Sequence, residues 1–98
     1  MAVRFQNKTL TEIKLMNVAV DVKTEDIKKI FEKFDRVVHT TRFTNILIFH
    51  VNTFSGAIKG KLFLEKIKYD QRIKINVQTP IQAEISHLCD ELVYMTHQ

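Results

Sequence analysis

The order of apolar and polar positions along the chain predicts four strands. Residues 12–20 alternate in part between apolar and polar side chains, which is typical of a strand. Residues 37–43 and 46–51 are rich in β-branched and apolar types, and the short link Thr44–Asn45 suits a hairpin turn between them. Residues 72–78 alternate most cleanly. The run at 46–51 lacks polar alternation, so we expect burial on both of its faces.

Two amphipathic helices are predicted between these strands. The first begins near Thr24, whose hydroxyl suits a helix N-cap, and the second begins near Ser55 for the same reason. Glycine inside a helix costs about 1 kcal/mol relative to alanine, so we expect close packing to account for Gly60. The apolar faces at helical spacing are Ile27, Ile30, Phe31 and Phe34 in the first helix, and Ala57, Gly60, Leu64 and Ile67 in the second.

A third helix is predicted after the last strand. Thr79 can cap it, Pro80 suits the first helical position, and Gln82 completes a capping box. The apolar side of this helix is formed by Ile81, Ile85, Leu88 and Leu92.

The element order β-α-β-β-α-β predicts an α+β fold. Two βαβ-like halves give a ferredoxin-like sandwich, in which a four-stranded antiparallel sheet carries two helices on one face. We divide the chain into an N-terminal extension (1–11), this domain (12–79) and a C-terminal amphipathic helix (80–98). The extra helix is expected to pack on or beside the sheet.

Composition limits the possible environments and partners. The chain has 98 residues, a formal net charge of +4 and one cysteine, Cys89, so no internal disulfide can form. No apolar run approaches the ~20 residues that a membrane span needs. We expect an intracellular protein, nuclear or cytoplasmic, with no membrane contact. The basic balance is compatible with a polyanionic partner.

Residues for catalysis or for cofactor binding are not evident in the sequence. The four histidines, His39, His50, His87 and His97, have no metal-ligand spacing with cysteine or acidic residues. No glycine-rich phosphate loop is present. We expect no enzyme activity, no cofactor, no metal and no small-molecule substrate.

Three stretches of the sequence resemble the RNA-recognition-motif family. Ile13–Val18 is similar to the first-strand hexamer of the family, and Thr24–Phe34 is similar to its first helix. Ile46–Val51 stands where the third-strand octamer belongs. The resemblance covers roughly residues 12–79, and it implies the same ferredoxin-like sandwich together with a role in RNA metabolism.

The departures from the family concern the residues that stack on RNA. Family members typically stack bases on aromatic side chains of the two central strands. By this alignment Lys14 stands at the hexamer's aromatic position, and Ile46 and Ile48 stand at the two aromatic positions of the octamer. Phe49 is expected to point into the core, although a register slip of one residue would turn it outward. Conventional stacking is therefore not expected.

The resemblance and its departures suggest two kinds of surface. Met16, Ile46 and Ile48 would form an apolar strip on the sheet, and apolar surface of this kind usually marks an interface. Three occupants remain open, namely the C-terminal helix, a partner protein or second copy, and nucleic acid. Basic side chains suited to phosphate are Lys14, Arg72 and Lys74.

The leading hypothesis is therefore a non-catalytic interaction module of RNA-recognition-motif type, whose sheet contacts a protein partner or a second copy. One alternative is direct binding of single-stranded RNA through the sheet and its basic flanks. A second alternative is a ferredoxin-like regulatory or small-ligand domain, because a fold does not by itself fix a function.

Overall fold

The computed structural model describes residues 10–82, 85 and 88. They form an α+β arrangement in which a four-stranded antiparallel sheet has the order β2-β3-β1-β4, compatible with a ferredoxin-like fold. A further helical segment begins at Pro80 and includes residues 80–82, 85 and 88. The elements are β1 (Thr11–Met16), α1 (Thr24–Glu32), β2 (Val37–Arg42), β3 (Ile46–Val51), α2 (Phe54–Ile67) and β4 (Lys74–Gln78).

The core lies between one face of the sheet and the helices α1 and α2. The sheet and both helices contribute side chains to this core. The ring of Phe31 in α1 lies 5.6 Å, centroid to centroid, from the ring of Phe49 in β3. Burial of such side chains contributes roughly 1.5–3 kcal/mol each. The largest fully buried side chains are Phe31, Phe49, Ile13, Leu15, Ile27, Leu47, Val18 and Val51.

Strand β3 corrects one expectation. Its six residues alternate between half-buried and buried, so only one of its faces is fully enclosed. Burial on both faces, predicted from the continuous apolar run, is therefore wrong. In α2, Ala57, Gly60 and Leu64 are buried as predicted, but Ile67 is 45% exposed because it lies at the end of the helix.

The end of β1 and the start of β4 differ from the predicted boundaries for local reasons. Strand β1 ends at Met16 rather than at residue 20, because Asn17 takes a left-handed backbone with a φ of 63°. Asparagine tolerates this region better than most residues. Strand β4 begins at Lys74 rather than at residue 72, because Asp70 accepts a hydrogen bond from the backbone N–H of Arg72 and closes a turn there.

The start of α1 is organised by an arginine from β2. Thr24 does not cap the helix; the N-cap position is Lys23, which makes no side-chain cap bond within the described residues. The Thr24 hydroxyl instead accepts a hydrogen bond from Arg42 Nη1 at 3.1 Å. Arg42 also donates to the carbonyls of Val22 and Ala19, at 3.0 and 3.1 Å. The guanidinium thus holds the β1–α1 loop against the sheet.

The start of α2 also differs from the prediction. Thr53, not Ser55, is the N-cap, and its Oγ1 accepts a hydrogen bond from the Gly56 N–H at 3.0 Å. The Thr53 hydroxyl and N–H both donate to Asp35 Oδ2, at 2.8 and 2.7 Å. Partial burial raises the pKa of Asp35, but hydrogen bonds from Thr53, Arg36 and Asn52 outweigh it and hold that pKa below its usual value.

Gly60 is required by close packing, as the sequence predicts. A Cβ atom at this position would lie 2.3 Å from Cδ1 of Phe31 and 2.6 Å from its Cε1. The ring of Phe31 is itself buried against Phe49 and cannot move freely. The glycine therefore sets how closely α2 approaches α1.

We predict that Gly60→Ala lowers the free energy of unfolding. Overpacking of a core costs roughly 1–3 kcal/mol, which exceeds the ~1 kcal/mol that alanine gains in a helix. Chemical denaturation would measure the loss, with Lys59→Ala on the exposed side of the same helix as the control. In a Phe31→Leu background the penalty should shrink, and an unchanged penalty would contradict the proposed contact.

We predict a pH-dependent loss of stability in Asp35→Asn. The substitution removes the charged acceptor of the hydrogen bonds from Thr53, Arg36 and Asn52 and should cost roughly 1–2 kcal/mol at neutral pH. Because the folded pKa of Asp35 is lowered, its contribution is present above the unfolded pKa and is lost as the pH falls through the folded pKa. The difference between the two proteins should therefore vanish in acid. Asp21→Asn is the control, and a difference that persists in acid would refute this account.

Candidate interaction surface on the outer face of the sheet

The outer face of the sheet points away from α1 and α2, and it follows from alternation in the two central strands. Ile13 and Leu15 of β1 are fully buried, as are Leu47 and Phe49 of β3. Since successive residues of a strand point to opposite faces, the intervening side chains lie on the outer face. The core position of Phe49 excludes the register slip of one residue. The outward side chains include Lys14, Met16, Ile46 and Ile48, all half-buried.

Three apolar side chains form a continuous strip on this face, which we call the apolar strip (Met16, Ile46 and Ile48). Met16 lies opposite Ile46 in the register of β1 with β3, and Lys14 lies opposite Ile48. Opposite side chains of an antiparallel pair have Cβ atoms about 4.5–5.5 Å apart, close enough for contact. The strip therefore crosses both central strands and has a lysine at its border.

None of the outward positions of β1, β3 and β4 within the described residues is Phe, Tyr or Trp. Other rings lie near this face: the imidazole of His50 in β3, and the ring of Phe43, which follows β2, is 58% exposed and donates its backbone N–H to the Ile46 carbonyl. Phe49, the nearest aromatic residue in sequence, is inside the core with no exposed surface. The outward positions are Glu12, Lys14 and Met16 in β1, Ile46, Ile48 and His50 in β3, and Lys74, Asn76 and Gln78 in β4.

Two of the three predicted basic residues share the outer face. Lys74 lies opposite Met16 in the register of β4 with β1, which makes it the diagonal neighbour of Lys14. Diagonal neighbours on a sheet are about 7–8 Å apart. Lys74 is exposed and Lys14 is half-buried. These two ammonium groups border the apolar strip on its β4 side.

The third basic residue lies elsewhere. Arg72 precedes β4 and lines a shallow depression at the end of the sheet together with Asn17 and Asn45. Its guanidinium donates two hydrogen bonds to the Asp70 carboxylate, both at 3.1 Å. These bonds lower the pKa of Asp70 and raise the pKa of Arg72. The negative charge of Asp70 thus compensates the positive charge of Arg72, which was expected to contact phosphate.

The C-terminal helical segment begins with the predicted capping box. The Thr79 N–H donates to Gln82 Oε1 at 3.0 Å, and the Gln82 N–H donates to Thr79 Oγ1 at 3.3 Å. The apolar side chains that follow are exposed, at 70% for Ile81, 54% for Ile85 and 44% for Leu88. A large part of the surface of each side chain is therefore not packed on the sheet. Leu92 lies outside the described residues, and the cover of the sheet by this helix stays a prediction.

One end of the outer face carries a polar pair that the sequence did not single out. His50 Nε2 lies 3.4 Å from Glu12 Oε1, and the rings of His50 and His39 are 6.1 Å apart, nearly perpendicular. Glu12 is only 8% exposed. Only the register brings these residues together, because Glu12 is opposite His50 and His50 is opposite His39. No local spacing in the sequence could have revealed the pair.

The part of the chain that the structure describes has neither a candidate metal site nor a candidate membrane span. In that part of the chain no group of three or more His, Cys, Asp or Glu side chains could hold a metal ion. None of its helices is long and apolar enough to cross a bilayer.

Comparison with known proteins adds no family assignment. No protein-family model matches the chain, and a search of curated proteins found no significant match. The functional argument therefore depends on the residues and contacts of this chain alone.

Proposed function

We propose that this chain is a non-catalytic interaction module of RNA-recognition-motif type, which works within RNA metabolism. Its outer sheet face binds a protein partner or a second copy of the chain. The observation that carries the proposal is the apolar strip, Met16, Ile46 and Ile48, on the two central strands, where an RNA-stacking sheet would present aromatic rings.

The energetic argument favours protein over RNA at this face. Stacking of a base on an aromatic side chain contributes about 1–3 kcal/mol, and branched aliphatic side chains offer no comparable π surface. An apolar strip instead gains free energy when a partner removes it from water, at roughly 25 cal/mol per Å². The exposed Ile81, Ile85 and Leu88 add a second apolar surface, which supports the same class of partner.

Direct binding of single-stranded RNA is the alternative, and one observation favours it. Lys14 and Lys74 are diagonal neighbours on the outer face, so a phosphate could contact both. Lysine–phosphate contacts of this kind release counterions, and the resulting affinity falls steeply with salt. The compensation of Arg72 by Asp70 limits this alternative to two cations on the sheet.

One titration separates the two functions. We predict that mixed single-stranded RNA pools bind weakly at low salt and negligibly at physiological salt, because charge alone provides the contact. Fluorescence anisotropy would measure the affinity of the wild type and of Lys14→Glu, with Lys29→Glu on the exposed side of α1 as the matched charge control. Sub-micromolar binding at physiological salt that Lys14→Glu abolishes and Lys29→Glu preserves would overturn the protein-interaction proposal.

A further inference from the structure

The groove between helix α2 and the edge strand β4 is a second, separate surface. A cavity of about 300 Å³ lies there, and its apolar lining comes from the end of the helix and from the strand. The lining residues that the argument uses are Leu64, Lys68, Tyr69, Ile73 and Ile75. A cavity of this size is at the lower end of the range for small binding pockets and would take one apolar side chain of a larger ligand.

The strand residues of the groove are less deeply buried than their neighbours in the core. Ile75 lies opposite Leu15 and Val77 lies opposite Ile13, so both point to the helix side of the sheet. Leu15 and Ile13 are fully buried, whereas Ile75 and Val77 are only half-buried. The helix layer therefore stops short of the sheet edge and leaves apolar surface along it.

The backbone of β4 offers hydrogen bonds along the same edge. In the order β2-β3-β1-β4, no described strand pairs with the outer side of β4. Every second residue of an edge strand directs its N–H and C=O groups away from the sheet, and an added strand can bind them. The groove thus combines unpaired main-chain groups with an adjacent apolar cavity, which is the combination that strand-addition sites use.

The end of α2 shapes the cavity. Lys68 takes a left-handed backbone, with φ 53° and ψ 47°, and ends the helix. The Tyr69 N–H donates to the Leu64 carbonyl at 3.4 Å, which turns the chain sharply towards β4. Burial, with the nearby charges of Asp26 and Asp70, raises the pKa of Tyr69. The Tyr69 ring lines the cavity and is 37% exposed.

The charges around the groove indicate the sign of the partner. Lys61, Glu65 and Lys68 follow at i, i+4 and i+7, on one side of α2, and Glu65 and Lys68 line the cavity. Lys74 begins the edge strand, and the charge of Asp70 is compensated by Arg72. On the helix side Lys61 and Lys68 are balanced by Glu65 and by Asp26, whose charge lies close to Tyr69. Lys74 points to the outer face, opposite Met16 and diagonal to Lys14, so the basic side of the β4 edge is its outer side.

We propose that this groove binds an extended acidic peptide of a partner protein, which adds to β4 as a fifth strand. One apolar side chain of the peptide enters the cavity between Leu64, Tyr69 and Ile73. Its acidic side chains alternate to the other face of the added strand, where Lys74 is exposed. The site lies at the edge and on the helix side of the sheet, and it shares only Lys74 with the outer face. The inference does not depend on the proposed function of the outer face.

Nuclear magnetic resonance of the full chain tests the inference. The probe is a short synthetic peptide that alternates valine or isoleucine with aspartate or glutamate. We expect its addition to shift the resonances of Lys74–Gln78 and of Tyr69 and Ile73, and to slow amide exchange at alternate residues of β4. Resonances of Ile46 and Ile48 on the outer face should stay unchanged. Shifts confined to that face, or no slowing of exchange in β4, would overturn the inference.

Variants and a matched peptide test its separate parts. Lys74→Glu should weaken binding of the peptide at least severalfold, whereas Lys29→Glu, the same charge change on α1, should not alter its affinity. Ile73→Glu should abolish binding, and thermal unfolding would check that the variant folds. A peptide with lysine in place of its acidic residues should fail to bind. Equal binding of both peptides would refute the acidic partner, and a concentration-dependent dimer formed through β4 would identify a second copy as the occupant instead.

Discussion

The ring of Phe31 lies between the sheet and helix α2, and the rest of the structure depends on its two contacts. On one side it packs against Phe49 of the central strand β3 at 5.6 Å. On the other side it leaves room only for a glycine, Gly60. Because Phe49 must face this ring, β3 has one possible register, and every alternate residue of the strand must face outward. The core thereby determines the composition of the opposite face.

The packing of the core determines which side chains reach the outer face of the sheet. Met16, Ile46 and Ile48 stand outward because their neighbours in sequence are buried. A surface with apolar side chains on its two central strands and Lys14 and Lys74 at its border is suited to a protein contact with some electrostatic steering. Base stacking would require aromatic rings at the same positions. Within the described residues, Phe, Tyr and Trp are absent from the outward positions of β1, β3 and β4.

Much of the fold could be predicted from local sequence patterns. The element order, the bounds of β3 and the capping box at Thr79 follow from them, and the structure confirms them. The inward position of Phe49 is also confirmed, but it was expected from the resemblance to the RNA-recognition-motif family and not from periodicity. The helix starts could not be predicted in the same way. Thr53 rather than Ser55 caps α2 because Asp35, eighteen residues earlier, accepts both of its hydrogen bonds. Thr24 is likewise engaged by Arg42 from a different strand.

The surfaces show the same division between local and long-range information. The alignment with the RNA-recognition-motif family, and not alternation, predicted that Ile46 and Ile48 point outward. The turn from Asp70 to Arg72 involves residues close in sequence that composition alone did not connect. The pair of Glu12 and His50 required the register of β1 with β3. The groove beside β4 required the position of α2 relative to the sheet edge. Such features arise from tertiary contacts, for which a single sequence carries no periodic signal.

Site-specific photo-crosslinking from the outer face tests the central claim most directly. A benzoylphenylalanine introduced at Ile48, in cells that express the full chain, should give adducts that protease removes and nuclease leaves intact. The same group at Lys29, on the exposed side of α1, is the control and should not give those adducts. Adducts at position 48 that nuclease removes, or identical protein adducts from both positions, would contradict a protein-binding sheet.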